Sequence, residues 1–299
     1  MISSLPVRGV GEEAGLAEAG VASMKKDPQV AQKVSGIESS KRLAAYTAVD
    51  HHIKPEHRVI GIGSGSTVPY VVERIVQQGQ EVNKGRVFIP TGFQSRQLIL
   101  NAKLSVGDVD EYPSIDVTID GADEVDSSLN CIKGGGACHL REKVIAEAAK
   151  TFIVVADYRK NSQSLCTNYP PGVPIEVVPF AYGKVLTAVQ KSIGSPKATL
   201  RMAIKKGEQI PPPLMTPALS LTAGPVVTDN GHFVIDAPFE PERMQDPSAV
   251  LRQIKLLTGV VEVGLFCNMA KAAYFGNEDG TVTIRHADGR TEEISGAQQ

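Results

Sequence analysis

The first half of the chain alternates short apolar runs with amphipathic segments. Residues 59–62 form an apolar run, and from Val68 onward the apolar residues fall at positions i, i+3, i+4 and i+7, the spacing of one helix face. Further apolar runs lie at 86–89, 115–119 and 152–156, and segments of helical character follow the first two. Strands that alternate with helices predict a parallel sheet covered on both faces, and hence an α/β fold.

The second half has a different order of elements. Apolar and β-branched runs predict strands, helical spacing predicts helices near Val185 and Val250, and Asp229-Asn230-Gly231 is a strong hairpin signal. The resulting order β-α-β-β-α-β is that of a ferredoxin-like α+β unit. The Pro-rich segment 205–225 predicts a loop. The last apolar segments, 272–286, predict a hairpin that could join either sheet.

These patterns divide the chain into three parts. Residues 1–36 have weak periodicity and predict a loosely ordered N-terminal extension, with the first helix starting near Glu38. Residues 37–167 together with 267–291 predict the larger α/β domain, and residues 168–266 the smaller ferredoxin-like domain.

Composition narrows the classes of partner. The chain has 299 residues, 42% of them hydrophobic, and a formal charge of -2, so it can form a normal core and has no general attraction for nucleic acid or an anionic membrane. An anionic substrate therefore requires a local cationic site. The lack of a long apolar run or signal-like core predicts a cytoplasmic protein without a membrane span. The four cysteines form no CxxC pair, which argues against a zinc site.

Polar and glycine-rich segments follow the predicted parallel strands. In an open parallel sheet, ligands bind beyond the carboxyl ends of the strands, so we expect these segments to share one cleft. They are GSGST at 63–67, PTG at 90–92, DGADE at 120–124 and Asp157.

GSGST suits a phosphate, because a helix N-terminus offers free backbone N–H groups and Ser64, Ser66 and Thr67 offer hydroxyls. It lacks the third glycine of a dinucleotide fingerprint and the lysine of a P-loop. A tight strand–helix turn without a ligand remains an alternative.

DGADE and KGGG are ambiguous when each is taken alone. The acidic segment fits a divalent metal site, acid–base chemistry on hydroxyls or a solvated acidic turn. Lys133 with Gly134, Gly135 and Gly136 fits main chain that closely approaches an anionic ligand, or a flexible linker.

Glu142 is the most informative single residue. Its neighbours at i+3, i+4 and i+7 are Ile145, Ala146 and Ala149, so a carboxylate near a helix start lies on an apolar face. Burial would raise its pKa towards the range of a general base, whereas the helix dipole would lower it, and the net direction stays open. An ordinary partly buried glutamate paired with Arg141 or Lys143 is the alternative.

Seven motifs in order resemble the type A ribose-5-phosphate isomerases, over about Glu38 to His286. They are GSGST, PTGFQS, TIDGADEVD, IKGGGACHLREK, VVADYRK, TDNGHFVID and GVVEVGLF. The resemblance implies interconversion of D-ribose 5-phosphate and D-ribulose 5-phosphate without metal or organic cofactor. It also implies a Rossmann-like domain beside the ferredoxin-like domain, and a homodimer or homotetramer.

The resemblance also implies a role for each matching residue. Glu142 would carry the proton between C1 and C2, Asp120 and Asp123 would act on the sugar oxygens, and Lys133 would stabilise the enediolate. The implied substrate-binding residues are Ser64, Gly65, Ser66, Thr67, Gly134, Gly135, Gly136, Lys160 and Lys41. A non-catalytic sugar-phosphate sensor on the same fold is the main alternative function, and a nucleotide-dependent oxidoreductase is a weaker one.

Overall fold

The computed structural model describes residues 28–204 and 222–295. Within these ranges the helices are α1 Pro28–His52, α2 Val68–Gln77, α3 Gln80–Asn83, α4 Phe93–Asn101, α5 His139–Ala148, α6 Tyr182–Ala188 and α7 Pro247–Lys255. The strands in the first half are β1 Val59–Ile62, β2 Val87–Pro90, β3 Val117–Asp120, β4 Glu124–Val125, β5 Cys131–Ile132 and β6 Phe152–Asp157. The later strands are β7 Val173–Val177, β8 Thr199–Leu200, β9 Met202–Ile204, β10 Thr222–Pro225, β11 Phe233–Ala237, β12 Val260–Val263, β13 Leu265–Phe266, β14 Ala272–Gly276, β15 Thr281–His286 and β16 Thr291–Ser295.

The larger sheet has the order β16-β15-β14-β6-β3-β1-β2. Strands β2, β1, β3, β6 and β14 run parallel, and β15 and β16 continue the sheet as antiparallel strands. Every residue of β3 and β6 is buried, as expected for strands covered on both faces. The α/β prediction is confirmed, and the terminal hairpin joins this sheet.

The order of the parallel strands fixes where a ligand can bind. The chain passes from β1 outward to β2 and then returns to β3 on the other side of β1. Doubly wound sheets of the Rossmann and flavodoxin types bind ligands at such a reversal, beyond the carboxyl ends of the strands. The relevant loops here are those that follow β1 and β3.

The second sheet has the order β12-β7-β11-β8, with each neighbouring pair antiparallel. This is the strand arrangement of the predicted ferredoxin-like unit. Helices α6 and α7 bury Val185 and Ile254 against its core. The two boundaries proposed for the domains remain predictions.

A third sheet, β13-β5-β4, joins the two larger ones and was absent from the sequence prediction. Its two-residue strands are too short to show a period. Phe266 of β13 and Cys131 of β5 pack in one core with Phe152 of the larger sheet. Lys133 directly follows β5, and its backbone N–H donates to the carbonyl oxygen of Gly264 at 2.9 Å.

Three further differences concern element boundaries. Helix α1 begins at Pro28, about ten residues before the predicted start, which is therefore wrong. The extension proposed for residues 1–36 remains a prediction, and residues 1–27 lie outside the described residues. Residues 222–225 form β10, which pairs with β9, instead of continuing the predicted loop; the rest of that loop also lies outside the described ranges. Strand β16 extends the larger sheet beyond residue 291.

Candidate active site

The loops after β1, β3, β5 and β6 enclose one cleft together with the start of α5. Its lining includes Ser64, Gly65, Ser66, Thr67, Asp123, Lys133, Gly134, Gly135, Gly136, Glu142, Asp157 and Lys160. The structure therefore brings the predicted phosphate cradle, the acidic segment and the glycine run together. Asp120 lies in the wall directly behind these residues, where its side chain is fully buried.

The loop after β1 lies against Asp120 because residue 63 has no side chain. A Cβ atom at Gly63 would lie 2.0 Å from Asp120 Oδ1. Because Gly63 has no Cβ atom, the Ser64 backbone N–H can donate to Asp120 Oδ1 at 2.9 Å, and the Gly121 N–H donates to the same oxygen at 2.7 Å. Asp120 is thus held by main chain from both loops at the strand-order reversal.

Lys133 is the cation at the centre of the site, and its side chain is only 2% exposed. Its Nζ lies 3.0 Å from Asp120 Oδ2 and 3.4 Å from Glu142 Oε2. It also donates to the carbonyl oxygen of Gly121 at 2.5 Å. Two buried carboxyl groups therefore share one ammonium group.

Glu142 lies in the first turn of α5 and is 3% exposed, as the apolar neighbours in the sequence predicted. Ser64 Oγ donates to its Oε1 at 2.5 Å, and Cys138 Sγ lies 3.3 Å from the same oxygen. Oε2 is left facing Lys133. Neither alternative partner is used: Arg141 donates to Asn230, and Lys143 forms an ion pair with Glu262.

The two carboxyl groups beside Lys133 have opposite pKa shifts. Burial raises the pKa of Asp120 to about 7, although Lys133 opposes this. Burial would also raise the pKa of Glu142, but Lys133 and the hydrogen bonds from Ser64 and Cys138 lower it below its usual value. The direction that the sequence left open is therefore downward. Carboxyl groups with diverging pKa values provide a proton-bearing group and a base at one pH.

Asp123 and the glycine run form the opposite wall. The Gly135 N–H donates to Asp123 Oδ2 at 2.7 Å, while burial raises the pKa of Asp123. Gly134 has φ +109°, a conformation that favours glycine, and a Cβ there would lie 2.6 Å from His139 Nδ1. The run is therefore built into the site and is not a flexible linker.

The two predicted lysines outside the KGGG motif have different positions. Lys160 lines the cleft. Lys41 does not belong to the cleft lining: its Nζ lies 2.7 Å from Glu38 Oε1, and the other oxygen of Glu38 accepts from Tyr70. A substrate-binding role for Lys41 therefore remains a prediction, which requires it to exchange this partner for a ligand.

Sequence reasoning missed three residues around the site. Gln94 Oε1 accepts the Gly65 N–H at 2.9 Å, Cys138 contacts Glu142, and Arg201 bonds to the glycine run from the second sheet. Only Cys138 carried a usable signal, because it lies four residues before Glu142 and thus one helical turn away.

Residues 28–204 and 222–295 were expected to contain no metal site and no membrane span. No group of three or more His, Cys, Asp or Glu side chains in these ranges is arranged to hold a metal ion. No helix within them has the length and apolar character to cross a bilayer.

The fold and cleft together define a class of protein. The site combines a loop rich in hydroxyl and N–H groups at the edge of a parallel sheet, two carboxyl groups of divergent pKa and a buried lysine. These groups are typical of the active site of an α/β enzyme that moves protons on a small anionic substrate.

Comparisons with known proteins identify the family within that class. The family model for ribose 5-phosphate isomerase A (phosphoriboisomerase A) matches residues 87–280. A ribose-5-phosphate isomerase of Mycosarcoma maydis is 65% identical over 260 residues, which are 87% of this chain and 85% of that protein. The chain therefore belongs to the ribose 5-phosphate isomerase A family.

Solved structures agree with this assignment. A D-ribose-5-phosphate isomerase in complex with phospho-erythronic acid is 32% identical, with a TM-score of 0.70 over 87% of this chain and 99% of that chain. Ribose 5-phosphate isomerase from Plasmodium falciparum is 31% identical, with a TM-score of 0.69 over 83% of this chain and 98% of that chain.

Proposed function

We propose that the chain interconverts D-ribose 5-phosphate and D-ribulose 5-phosphate through an enediolate, with Glu142 carrying the proton between C2 and C1. The reaction belongs to the non-oxidative branch of the pentose phosphate pathway. The observation that carries the proposal is the buried Glu142 carboxylate, which lines the cleft and is kept ionised by Lys133. Family membership supplies the substrate class, and a related isomerase has been solved with a phosphorylated sugar acid, phospho-erythronic acid.

The substrate phosphate binds at residues 64–67 at the start of α2, with Lys160 as a cationic partner across the cleft. Backbone N–H groups, hydroxyls and the helix N-terminus favour a dianion at this position. Holding the phosphate places the reacting carbons at a fixed distance from it, so that binding energy orients them against the base.

Proton transfer begins with Glu142 removing the proton next to the carbonyl group. Negative charge then develops on the sugar oxygens, and Lys133 with the N–H groups of the glycine run stabilises it. Burial raises the pKa of Asp120, which favours its protonated form. Asp120 and Asp123 therefore exchange protons with the sugar oxygens during ring opening and enediolate formation.

Replacing Glu142 with Gln tests the assignment, because the amide keeps the shape of the side chain and cannot accept the proton. We expect Glu142→Gln to lose at least ~10³-fold in kcat while still binding phospho-erythronic acid. Glu147→Gln is the control, since Glu147 is exposed on the same helix. Turnover of Glu142→Gln within tenfold of wild type would refute Glu142 as the base.

The same assay separates the enzyme from a non-catalytic sugar-phosphate sensor. Purified protein is mixed with ribose 5-phosphate and ketose formation is followed. Binding without conversion favours the sensor. The contacts of Lys133 with Glu142 in the cleft and with Asp120 in the wall behind it favour the enzyme.

We also propose that the chain acts in the cytoplasm as a homodimer or homotetramer of two-domain subunits. The near-neutral charge of -2 supports a small-molecule substrate and no nucleic-acid partner. Light scattering on the purified chain measures the assembly: a monomeric mass throughout the micromolar range contradicts the proposed state.

A further inference from the structure

Arg201 connects the second sheet to the glycine run of the active site. It lies between β8 and β9, and its Nη1 donates to the carbonyl oxygen of Gly134 at 2.9 Å and to that of Gly135 at 3.1 Å. Arg201 is not among the residues that line the cleft. Its guanidinium group therefore reaches the site only through main-chain atoms.

Asp236 of β11 holds this guanidinium group in place. Arg201 Nε donates to Asp236 Oδ2 at 2.8 Å, and Nη2 donates to the other carboxylate oxygen. The two side chains are 14% and 17% exposed. A two-point arginine–carboxylate contact fixes both the position and the plane of the guanidinium group, so Nη1 has little freedom to leave the two carbonyl oxygens.

Fixing these carbonyl groups also fixes the N–H groups of the same peptides. In a trans peptide the C=O and N–H bonds point in opposite directions, and no cis peptide occurs in the described residues. With the carbonyl groups of Gly134 and Gly135 directed to Arg201, the N–H groups of Gly135 and Gly136 point to the other side. The Gly135 N–H reaches Asp123. The structure records no acceptor for the Gly136 N–H within residues 28–204 and 222–295, and Gly136 lines the cleft.

We propose that Arg201, held by Asp236, is a positioning residue that directs the Gly136 N–H towards the charge that develops on the substrate and the Gly135 N–H towards Asp123. This inference rests on the proposed isomerase function. The positive charge of the guanidinium group also polarises both peptides, which strengthens their N–H groups as donors. The second domain thereby contributes to catalysis without supplying a group that touches the substrate.

The test compares Arg201→Met, Arg201→Lys and Asp236→Asn with wild type in steady-state isomerisation of ribose 5-phosphate. Arg74→Met is the matched control, because Arg74 forms a similar two-point contact with Asp50 at 2.9 Å between α1 and α2. Inhibition constants for phospho-erythronic acid and for inorganic phosphate are measured on each variant, and circular dichroism with thermal unfolding reports whether each variant is folded.

A positioning role predicts a specific pattern. Loss of an oxyanion-site donor costs about 10²–10³-fold in kcat, and misdirecting such donors should cost about 10–100-fold in Arg201→Met. We expect KM to change less than about threefold, since the phosphate is held at residues 64–67. Inhibition by phospho-erythronic acid should weaken and that by inorganic phosphate should not. Arg201→Lys and Asp236→Asn should show smaller losses of the same kind, and Arg74→Met none.

Two results would overturn the inference. One is a kcat within threefold of wild type in Arg201→Met, or in both other variants if Arg201→Met does not fold. The other is a rise in KM alone that parallels weaker phosphate inhibition, which would make Arg201 part of the phosphate site. Both presuppose an active wild type; a wild-type protein that binds ribose 5-phosphate without converting it refutes the proposed function instead.

Discussion

Replacing Lys133 with Met probes the electrostatic balance of the site most directly. The substitution removes the only ammonium group recorded within 4.0 Å of Asp120 and Glu142 among the described residues and keeps a side chain of similar length. Removing one partner of a buried ion pair costs roughly 3–5 kcal/mol of stability, because the remaining charge stays buried without compensation. We expect a loss of this size at pH 8, with kcat lower by about 10²–10³-fold because the enediolate loses its cation.

The pH dependence of that loss has a definite sign. In wild type, the pKa of Asp120 is raised to about 7 from 3.8, so its native form binds more protons than the unfolded chain and stability rises as pH falls. From pH 8 to pH 6 this contribution is on the order of 1 kcal/mol. Glu142 contributes nothing over that range, because its lowered pKa lies below it.

Without Lys133 both carboxyl groups take up protons more readily. Acidification from pH 8 to pH 6 then protonates carboxyl groups that Lys133 keeps ionised in wild type, and this removes part of the uncompensated buried charge. Lys133→Met should therefore recover more stability on acidification than wild type does. Urea unfolding followed by circular dichroism at both pH values measures the difference.

Lys150→Met is the control for this experiment. Lys150 forms a 2.7 Å ion pair with Asp116 but is 68% exposed, and an exposed pair contributes less than about 1 kcal/mol. A Lys133→Met protein that is within 1 kcal/mol of wild type at pH 8, and gains no more than wild type at pH 6, would refute the buried-charge reasoning.

Three further predictions concern the same site. Cys138→Ala removes a weak donor 3.3 Å from Glu142 Oε1 and should lower kcat by only about two- to fivefold in steady-state assays, since a single such bond contributes about 0.5–1 kcal/mol. Gly63→Ala would place a Cβ atom 2.0 Å from Asp120 Oδ1 and should abolish activity or folding. Its control is Gly183→Ala on α6, where the added Cβ meets no atom within 4 Å; this variant should raise the free energy of unfolding by about 0.5–1 kcal/mol. EDTA should leave turnover unchanged, and a loss restored by Mg²⁺ would contradict metal-free catalysis.

The sequence predicted those parts of the fold and site that depend on local periodicity. The apolar run at 59–62, followed by helical spacing from Val68, specified β1 and α2. Glu142 was expected to be buried because its helical neighbours are apolar, and it is. Such inferences need only the contacts between residues one or two turns apart, which a single sequence displays.

The missed features depend on contacts between distant segments. The net pKa shift of Glu142 results from Lys133 and Ser64, which reach it from two other loops. Arg201 bonds to the main chain 66 and 67 residues away, and carbonyl oxygens carry no residue-type signal. The pairing of Lys41 with Glu38 was likewise not visible in the sequence, and the substrate-binding role of Lys41 stays a prediction.

The asymmetry between the two buried carboxyl groups follows from where their hydrogen-bond donors come from. One ammonium group at 3.0 and 3.4 Å cannot fully compensate two carboxylates, so one of them takes up a proton as its burial demands. Glu142 has side-chain donors from Ser64 and Cys138 and stands in the first turn of α5, where the helix dipole favours an anion. Among the described residues, Asp120 has only backbone N–H donors in addition to Lys133. The base and the proton-bearing group are therefore assigned by position in the fold, and exchanging Asp for Glu at either place would not exchange their roles.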